Sequence, residues 1–85
     1  MKKITVYSTT TCPYCKMLTR WLKDKKIEFT EYKVDLNPYA AQTMVHLSGQ
    51  MGVPFTTIEE GEGDKSKMHK VLGFDQQQLA HILEV

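Results

Sequence analysis

Cysteine is scarce in this sequence and is confined to one short motif. The only two, Cys12 and Cys15, are three positions apart, so the chain cannot carry the disulfide framework of a small secreted scaffold. A structural bridge enclosing so few residues would also remove little chain entropy. A zinc site would need two more ligands, and His46, His69 and His81 lack the spacing of a zinc finger. The favoured interpretation is a redox-active dithiol, and a metal or cluster site completed by a partner is the alternative.

Charge of one sign and long apolar runs are also missing. Lysine plus arginine number 11 and aspartate plus glutamate 10, so no nucleic-acid partner is expected. No segment could span a membrane, and the basic start lacks the roughly 7 to 15 apolar residues of a signal peptide. The one charge cluster, residues 23–26, fits the solvated C-terminal end of a helix. We expect a cytoplasmic protein with no membrane partner, and the 85 residues predict a single domain over 1–85.

The motif Cys12-Pro13-Tyr14-Cys15 predicts the start of a helix. Proline is favoured at the first helical position because its missing N–H would have no partner there, so Pro13 indicates that Cys12 is the N-cap. The apolar residues that follow recur with helical spacing on one face: Met17, Leu18, Trp21 and Leu22.

This position predicts the chemistry of the two sulfurs. Unpaired amides and the positive end of the helix dipole favour a thiolate at Cys12, and such sites bring a cysteine pKa from about 8.5 into the range of roughly 3.5 to 7.5. Cys15 lies one turn further on, within reach of a disulfide that needs Cα atoms about 4.4 to 6.8 Å apart. We therefore expect Cys12 to attack and Cys15 to resolve.

The first half of the chain reads as a strand, a helix and a strand. Residues 4–7 and 27–36 are rich in β-branched and aromatic residues, and the second strand is expected to end near Asp35. This order predicts a parallel βαβ unit with a right-handed crossover. Asn37 and Pro38 then predict the start of a second helix, which ends at Ser48-Gly49.

The second half predicts two more strands and a helix. Residues 55–58 form the third strand, residues 59–67 are interpreted as an exposed turn because they are charged and rich in glycine, and residues 68–72 form the fourth strand. Asp75 is the expected N-cap of a final amphipathic helix.

These features together resemble the glutaredoxins and the related NrdH-type redoxins. The resemblance rests on Cys-Pro-Tyr-Cys after a strand, on Val53-Pro54 about forty residues later and on Gly73-Phe74-Asp75 before the last helix. It extends over essentially the whole chain. It implies an α/β, thioredoxin-like fold, a four-stranded mixed sheet flanked by three helices in the order βαβαββα. It also implies that the bond between Val53 and Pro54 is cis.

The resemblance further implies a substrate site beside the dithiol. A cis bond would turn the backbone N–H and C=O of Val53 outward, where an extended substrate could pair with them as an added strand. Pro13 and Tyr14 would lie in the same site, with the Tyr14 ring lining a groove for glutathione or a peptide. The structural alternatives are an ordinary proline at the start of a strand and a ring that covers the end of the helix.

Gly73, Phe74 and Asp75 resemble the glutaredoxin element that receives the γ-glutamyl end of glutathione. Backbone amides at a helix N-terminus and an acidic side chain would bind that group. The match is partial, since Leu72 stands where glutaredoxins usually have a first glycine and Gln76 where they have a second acid. Gly73 and Asp75 could equally be a turn glycine and an ordinary N-cap.

The residues expected to bind the glycyl end of glutathione also depart from the glutaredoxin pattern. Many glutaredoxins have lysine or arginine three residues before the first cysteine, where this chain has Thr9; Gln42 could offer only a neutral hydrogen bond. Gly73-Phe74 is similar to the NrdH-type redoxins, whereas Pro13-Tyr14 is similar to the glutaredoxins. The chain combines features of both groups.

We therefore predict a thiol–disulfide oxidoreductase. The Cys12 thiolate would attack a disulfide-bearing or glutathionylated protein, and Cys15 or glutathione would release the product. Glutathione is the expected co-substrate, glutathione or thioredoxin reductase the electron source, and the motif requires no metal or nucleotide. We expect a monomer. The alternatives are an NrdH-type donor to ribonucleotide reductase, a dimer that binds an iron–sulfur cluster, and a redox-inert adaptor.

Overall fold

The computed structural model describes residues 2–61 and 67–85, and these contain four strands and three helices. In chain order they are β1 (Lys2–Ser8), α1 (Pro13–Asp24), β2 (Thr30–Lys33), α2 (Pro38–Ser48), β3 (Phe55–Glu60), β4 (Lys67–Leu72) and α3 (Gln76–Leu83). None of the helices within the described ranges has the length and apolar character needed to cross a membrane.

The four strands form one mixed sheet with the order β2-β1-β3-β4. β1 is parallel to β2 and antiparallel to β3, and β3 is antiparallel to β4. The parallel pair comes from the predicted βαβ unit, because α1 connects its two strands. The predicted fold class, a four-stranded mixed sheet with three helices in the order βαβαββα, is confirmed.

A helix layer covers each face of the sheet, because successive residues of a strand point to opposite sides. On one face, α1 and α3 pack on apolar side chains of β1, β3 and β4. The buried residues of this layer are Ile4, Val6, Leu18, Leu22, Ile58, Val71 and Leu79. On the other face, α2 packs over Tyr7 and Phe55 through Ala40 and Met44. Each fully buried Leu or Ile stabilises the fold by about 1.5 to 3 kcal/mol relative to an exposed one.

The second strand is shorter than predicted. It runs over Thr30–Lys33, not 27–36, because the chain leaves α1 through a left-handed Lys26 (φ 59°) and a bond from the Ile27 N–H to the Leu22 carbonyl. Ile27 and Phe29 pack against the core without belonging to a strand. Their apolar character predicts a longer strand, but here it serves packing against the core.

The third and fourth strands are longer than predicted. Glu59 and Glu60 pair with Met68 and Lys67 in the antiparallel ladder, so the ends of the segment predicted as an exposed turn belong to the sheet. The centre of that segment, residues 62–66, lies outside the described residues.

The predicted ends of α2 and α3 are confirmed. The Asn37 side chain accepts a hydrogen bond from the Ala40 amide at 3.1 Å, and α2 ends at Gly49 in the left-handed conformation (φ 72°). At the start of α3, the Asp75 side chain accepts a hydrogen bond from the Gln78 amide, also at 3.1 Å. These caps satisfy amides that the first turn of a helix leaves without partners.

Candidate active site

Cys12 caps the N-terminus of α1, as the sequence predicts. Its backbone is extended (φ −90°, ψ 110°), Pro13 occupies the first helical position, and its sulfur accepts a hydrogen bond from the Cys15 amide at 3.1 Å. The sulfur therefore lies at the positive end of the helix dipole, where negative charge is stabilised.

Cys12 and Cys15 are joined by a disulfide, and their Cα atoms are 5.2 Å apart. The prediction that the two sulfurs lie within bonding reach is confirmed. Cys15 is buried, with 1% of its surface exposed, whereas Cys12 is partly exposed. An incoming disulfide can thus meet Cys12 directly, while the buried Cys15 is within reach only of Cys12 Sγ.

The loop that leads to Cys12 is held by a distant aspartate. Its turn is closed by a bond from the Cys12 N–H to the Thr9 carbonyl at 3.5 Å. Thr10 donates to Asp35 from its hydroxyl at 2.6 Å and from its amide at 3.2 Å. The hydroxyl contact is the main reason that the pKa of Asp35 lies below its usual value. Sequence reasoning placed Asp35 only at the end of β2, because no local pattern links it to Thr10.

The Val53–Pro54 bond is cis, as the resemblance implies. The register of Tyr7 with Phe55 places Pro54 beside the end of β1, from which the chain continues to Cys12. The Pro54 carbonyl accepts a hydrogen bond from the Gly73 amide at 2.7 Å. Val53-Pro54, Gly73 and the dithiol loop thus meet at one end of the sheet. Within residues 2–61 and 67–85, neither the N–H nor the C=O of Val53 has a hydrogen-bond partner.

Phe74 and Asp75 have structural contacts at this end of the sheet. The Phe74 ring packs edge-on against Trp21 of α1, with ring centroids 6.3 Å apart, and Asp75 caps α3. Gly73 has a left-handed backbone (φ 80°) with open space where a Cβ would lie. Their participation in substrate binding stays a prediction.

Three large apolar side chains are exposed around the dithiol end of the sheet. Tyr14 is 62% exposed, as predicted for a surface residue between the cysteines. Met51, 79% exposed, precedes Gly52-Val53 in the chain. Leu72 is 57% exposed, and its Cδ1 is 3.9 Å from the position of a Cβ on Gly52. Sequence reasoning did not identify Met51 as a site residue. The available signal was its position in the sequence, two residues before Val53-Pro54.

The remaining sequence candidates lie on α2 and in the sheet. Gln42 lines a cleft of about 820 Å³ on the outer side of α2, together with Tyr39 and His46. His69 contacts Glu60 at 3.2 Å in the sheet. Among the residues that the structure describes, no three His, Cys, Asp or Glu side chains gather as a metal site would require.

Comparison with known proteins agrees with this arrangement. The glutaredoxin family model matches residues 4–62. A glutaredoxin-like 8.6 kDa protein from the rubredoxin operon of Clostridium pasteurianum is 32% identical over 81 residues, which cover 95% of this chain and 97% of that protein. The glutaredoxin-like protein NrdH of Lactococcus lactis is 32% identical over 57 residues, or 67% of this chain and 78% of that protein.

The fold is also found among solved structures. A mutant of the thioredoxin-like protein BC3987 superposes with a TM-score of 0.78 at 26% identity, covering 100% of this chain and 99% of that one. The sheet order, the dithiol at the start of α1 and the family match lead to one conclusion: this chain belongs to the glutaredoxin family and is a glutaredoxin-like redox protein.

Proposed function

We propose that this protein is a thiol–disulfide oxidoreductase that reduces disulfides in proteins, and mixed disulfides between proteins and glutathione. The observation that carries the proposal is the position of the two sulfurs. At the start of α1, Cys12 Sγ accepts a hydrogen bond from the Cys15 amide. The sulfur of the buried Cys15 is within bonding reach of Cys12 Sγ. The proposed setting is the cytoplasm, where thiols are kept reduced.

The reaction proceeds by two thiol–disulfide exchanges. The Cys12 thiolate attacks one sulfur of the substrate disulfide, forming a mixed disulfide, and the other substrate sulfur leaves with the bonding electrons and takes up a proton. Cys15 then loses its proton and attacks Cys12 Sγ. This step forms the Cys12–Cys15 disulfide and releases the second substrate thiol. Two electrons thereby pass from the protein to the substrate.

Four features of the chain assist this reaction. The first amides of α1 stabilise the thiolate of Cys12 both before attack and as a leaving group. The N–H and C=O of Val53, which pair with none of the described residues, are available to an extended substrate segment. Tyr14, Met51 and Leu72 offer exposed apolar contact around it. The burial of Cys15 restricts its attack to Cys12 Sγ, once that sulfur is bonded to a substrate sulfur.

Glutathione is the proposed co-substrate that restores the dithiol. Its γ-glutamyl end would bind at Gly73, Phe74 and Asp75, through amides at the start of α3 and the Asp75 carboxylate. Two glutathione molecules are oxidised for each protein disulfide that is reduced.

The second candidate is an NrdH-type electron donor, reduced by thioredoxin reductase and serving ribonucleotide reductase. It is favoured by Thr9, which supplies no cation for the glycyl carboxylate of glutathione. The exposed Leu72 side chain, where glutaredoxins usually have glycine, also favours it. Likeness to a protein named NrdH supports the same candidate.

Measurement of NADPH oxidation separates the two candidates. One assay contains glutathione and glutathione reductase and the other contains thioredoxin reductase, each with the same disulfide substrate. Turnover with glutathione alone supports the first candidate, and turnover with thioredoxin reductase alone supports the second. Absence of turnover in both assays would contradict the enzymatic proposal.

A further inference from the structure

Positive charge is concentrated on the helix that carries the dithiol. Residues 13–26 contain five of the 11 lysines and arginines of the chain but one of its 10 acidic residues. Lys16, Arg20 and Lys23 have the i, i+4, i+7 spacing that places side chains on one ridge of a helix. We call these three residues the basic ridge.

The basic ridge is free for contact with another molecule. All three side chains are exposed, and none forms an ion pair within residues 2–61 and 67–85. The ridge begins next to Cys15 and runs along α1 for about 10 Å, given a rise of about 1.5 Å per residue. Tyr14 and Met17, 62% and 51% exposed, lie on the same helix near the dithiol.

Helix stability does not account for this charge. Lysines in the last turn of α1, such as Lys23, are favoured by the helix dipole. Lys16 lies near the start of the helix, where the dipole favours acids, and the first turn contains none. Arg20 lies before the last turn, where the dipole gives a cation little stabilisation. Two cations four residues apart also repel each other. The interpretation of the cluster at 23–26 as a solvated helix end therefore leaves the rest of the basic ridge unexplained.

We propose that the basic ridge binds an acidic segment of the protein substrate next to the substrate's reactive disulfide. This inference rests on the proposed disulfide reductase activity and specifies its substrates. Charge complementarity would speed the encounter and orient the substrate disulfide toward Cys12. The apolar surfaces of Tyr14 and Met17 would supply the uncharged part of the contact. Because the ridge is exposed, added salt would screen the attraction, with a screening length of about 8 Å at physiological ionic strength.

Single-turnover reduction of three peptide disulfides tests this proposal. The peptides are identical except that the residues flanking the cysteine are all glutamate, all glutamine or all lysine. The reduced protein is mixed with each peptide, and thiol release gives a second-order rate constant. We expect the glutamate peptide to react about two- to fivefold faster than the glutamine peptide at low salt. The lysine peptide should be the slowest, and the differences should disappear at high salt.

Arg20→Glu is the test variant, and Lys70→Glu on β4 is its matched control, since both reverse one exposed cation. Arg20→Glu should abolish or invert the preference for the glutamate peptide and leave the glutamine peptide unaffected. Lys70→Glu should preserve the preference. Equal effects of the two variants would overturn the proposal, as would a lack of preference in the wild-type protein.

Two other results also count against the basic ridge as a substrate site. If Arg20→Glu slows all three peptides equally, the residue acts on the dithiol itself, which the pH dependence of Cys12 alkylation would reveal. If it slows reduction of the oxidised protein by thioredoxin reductase but not reaction with peptides, the ridge binds the reductase. Failure of the wild-type protein to reduce any peptide would refute the disulfide reductase activity itself, and is thus distinguishable from failure of the charge proposal.

Discussion

Thr10 donates hydrogen bonds to the Asp35 carboxylate from both its hydroxyl, at 2.6 Å, and its backbone amide, at 3.2 Å. The two residues are 25 positions apart, and their contact ties the loop before Cys12 to the chain that leaves β2. The contact therefore fixes the approach of the chain to α1, the helix that carries the dithiol. Among residues 2–61 and 67–85, residues 9–11 form no other long-range hydrogen bond.

The Asp35 contact should make folding stability depend on pH in the acid range. Hydrogen bonds from Thr10 lower the pKa of Asp35, so the carboxylate contributes stability above its unfolded pKa of about 3.9. That contribution is lost as the pH falls through the lowered value. Urea unfolding should find Asp35→Asn less stable than wild type near neutrality, and the difference should shrink below about pH 4.

Glu28→Gln is the matched control for Asp35→Asn. Glu28 is exposed and makes no side-chain hydrogen bond or ion pair with the described residues. It should show no comparable pH-dependent difference from wild type. A difference between Asp35→Asn and wild type that persists unchanged through acid pH would show that the charge of Asp35 is not the cause.

In the reduced protein, Cys12 should be alkylated at a lower pH than an ordinary thiol, and Cys15 should react far more slowly. The amides at the start of α1 stabilise the Cys12 thiolate, whereas Cys15 is 1% exposed. Iodoacetamide labelling across a pH series, followed by peptide mass spectrometry, measures both rates. Cys15→Ser and Cys12→Ser assign each rate to one sulfur. An alkylation profile for Cys12 centred near pH 8.5 would refute the thiolate assignment.

Cys15→Ser should separate the two kinds of substrate. Without Cys15, the mixed disulfide between Cys12 and a protein cannot be resolved from within the chain, so turnover on protein disulfides should be lost. Reduction of a glutathionylated substrate should continue if glutathione resolves the intermediate. Cys12→Ser is the control and should lose both activities. Loss of both in Cys15→Ser would favour strict dithiol exchange and the NrdH-type candidate.

Much of the scaffold was predictable because its signals are local. Pro13 after Cys12 and Pro38 after Asn37 mark two helix starts within two residues each, and the structure places both caps as predicted. The limits of β2 were not predictable in this way. Ile27 and Phe29 have strand-like side chains, but they pack against the core from the loop before the strand.

The site was predictable only as far as its motifs extend. The position of Cys12 follows from its own helix, whereas the link from Thr10 to Asp35 depends on the parallel pairing of β1 with β2. The approach of Leu72 to Gly52, next to Val53, likewise depends on the pairing of β3 with β4. Such contacts are set by strand register, for which a single sequence carries no local signal.

Leu22→Ala should destabilise the protein by about 2 to 5 kcal/mol, because it removes a fully buried side chain from the core beneath α1. Leu36→Ala is the matched control, since Leu36 is 71% exposed, and its effect should lie within about 0.5 kcal/mol. Chemical denaturation with Trp21 fluorescence measures both. Equal costs for the two variants would contradict the position of Leu22 in the core.

Leu72 should set the preference for apolar substrates beside Cys12. Its side chain is 57% exposed next to Gly52-Val53, where an extended substrate would pair, so substrate binding would bury apolar surface there. Leu72→Ser should lower kcat/KM for a disulfide peptide with leucine beside its cysteine by about three- to tenfold, and should affect a serine-flanked peptide little. Leu36→Ser, which removes an exposed leucine elsewhere, should leave both rates unchanged. Equal slowing of both peptides by Leu72→Ser would mean that the side chain supports the loop at Val53 and does not contact substrate.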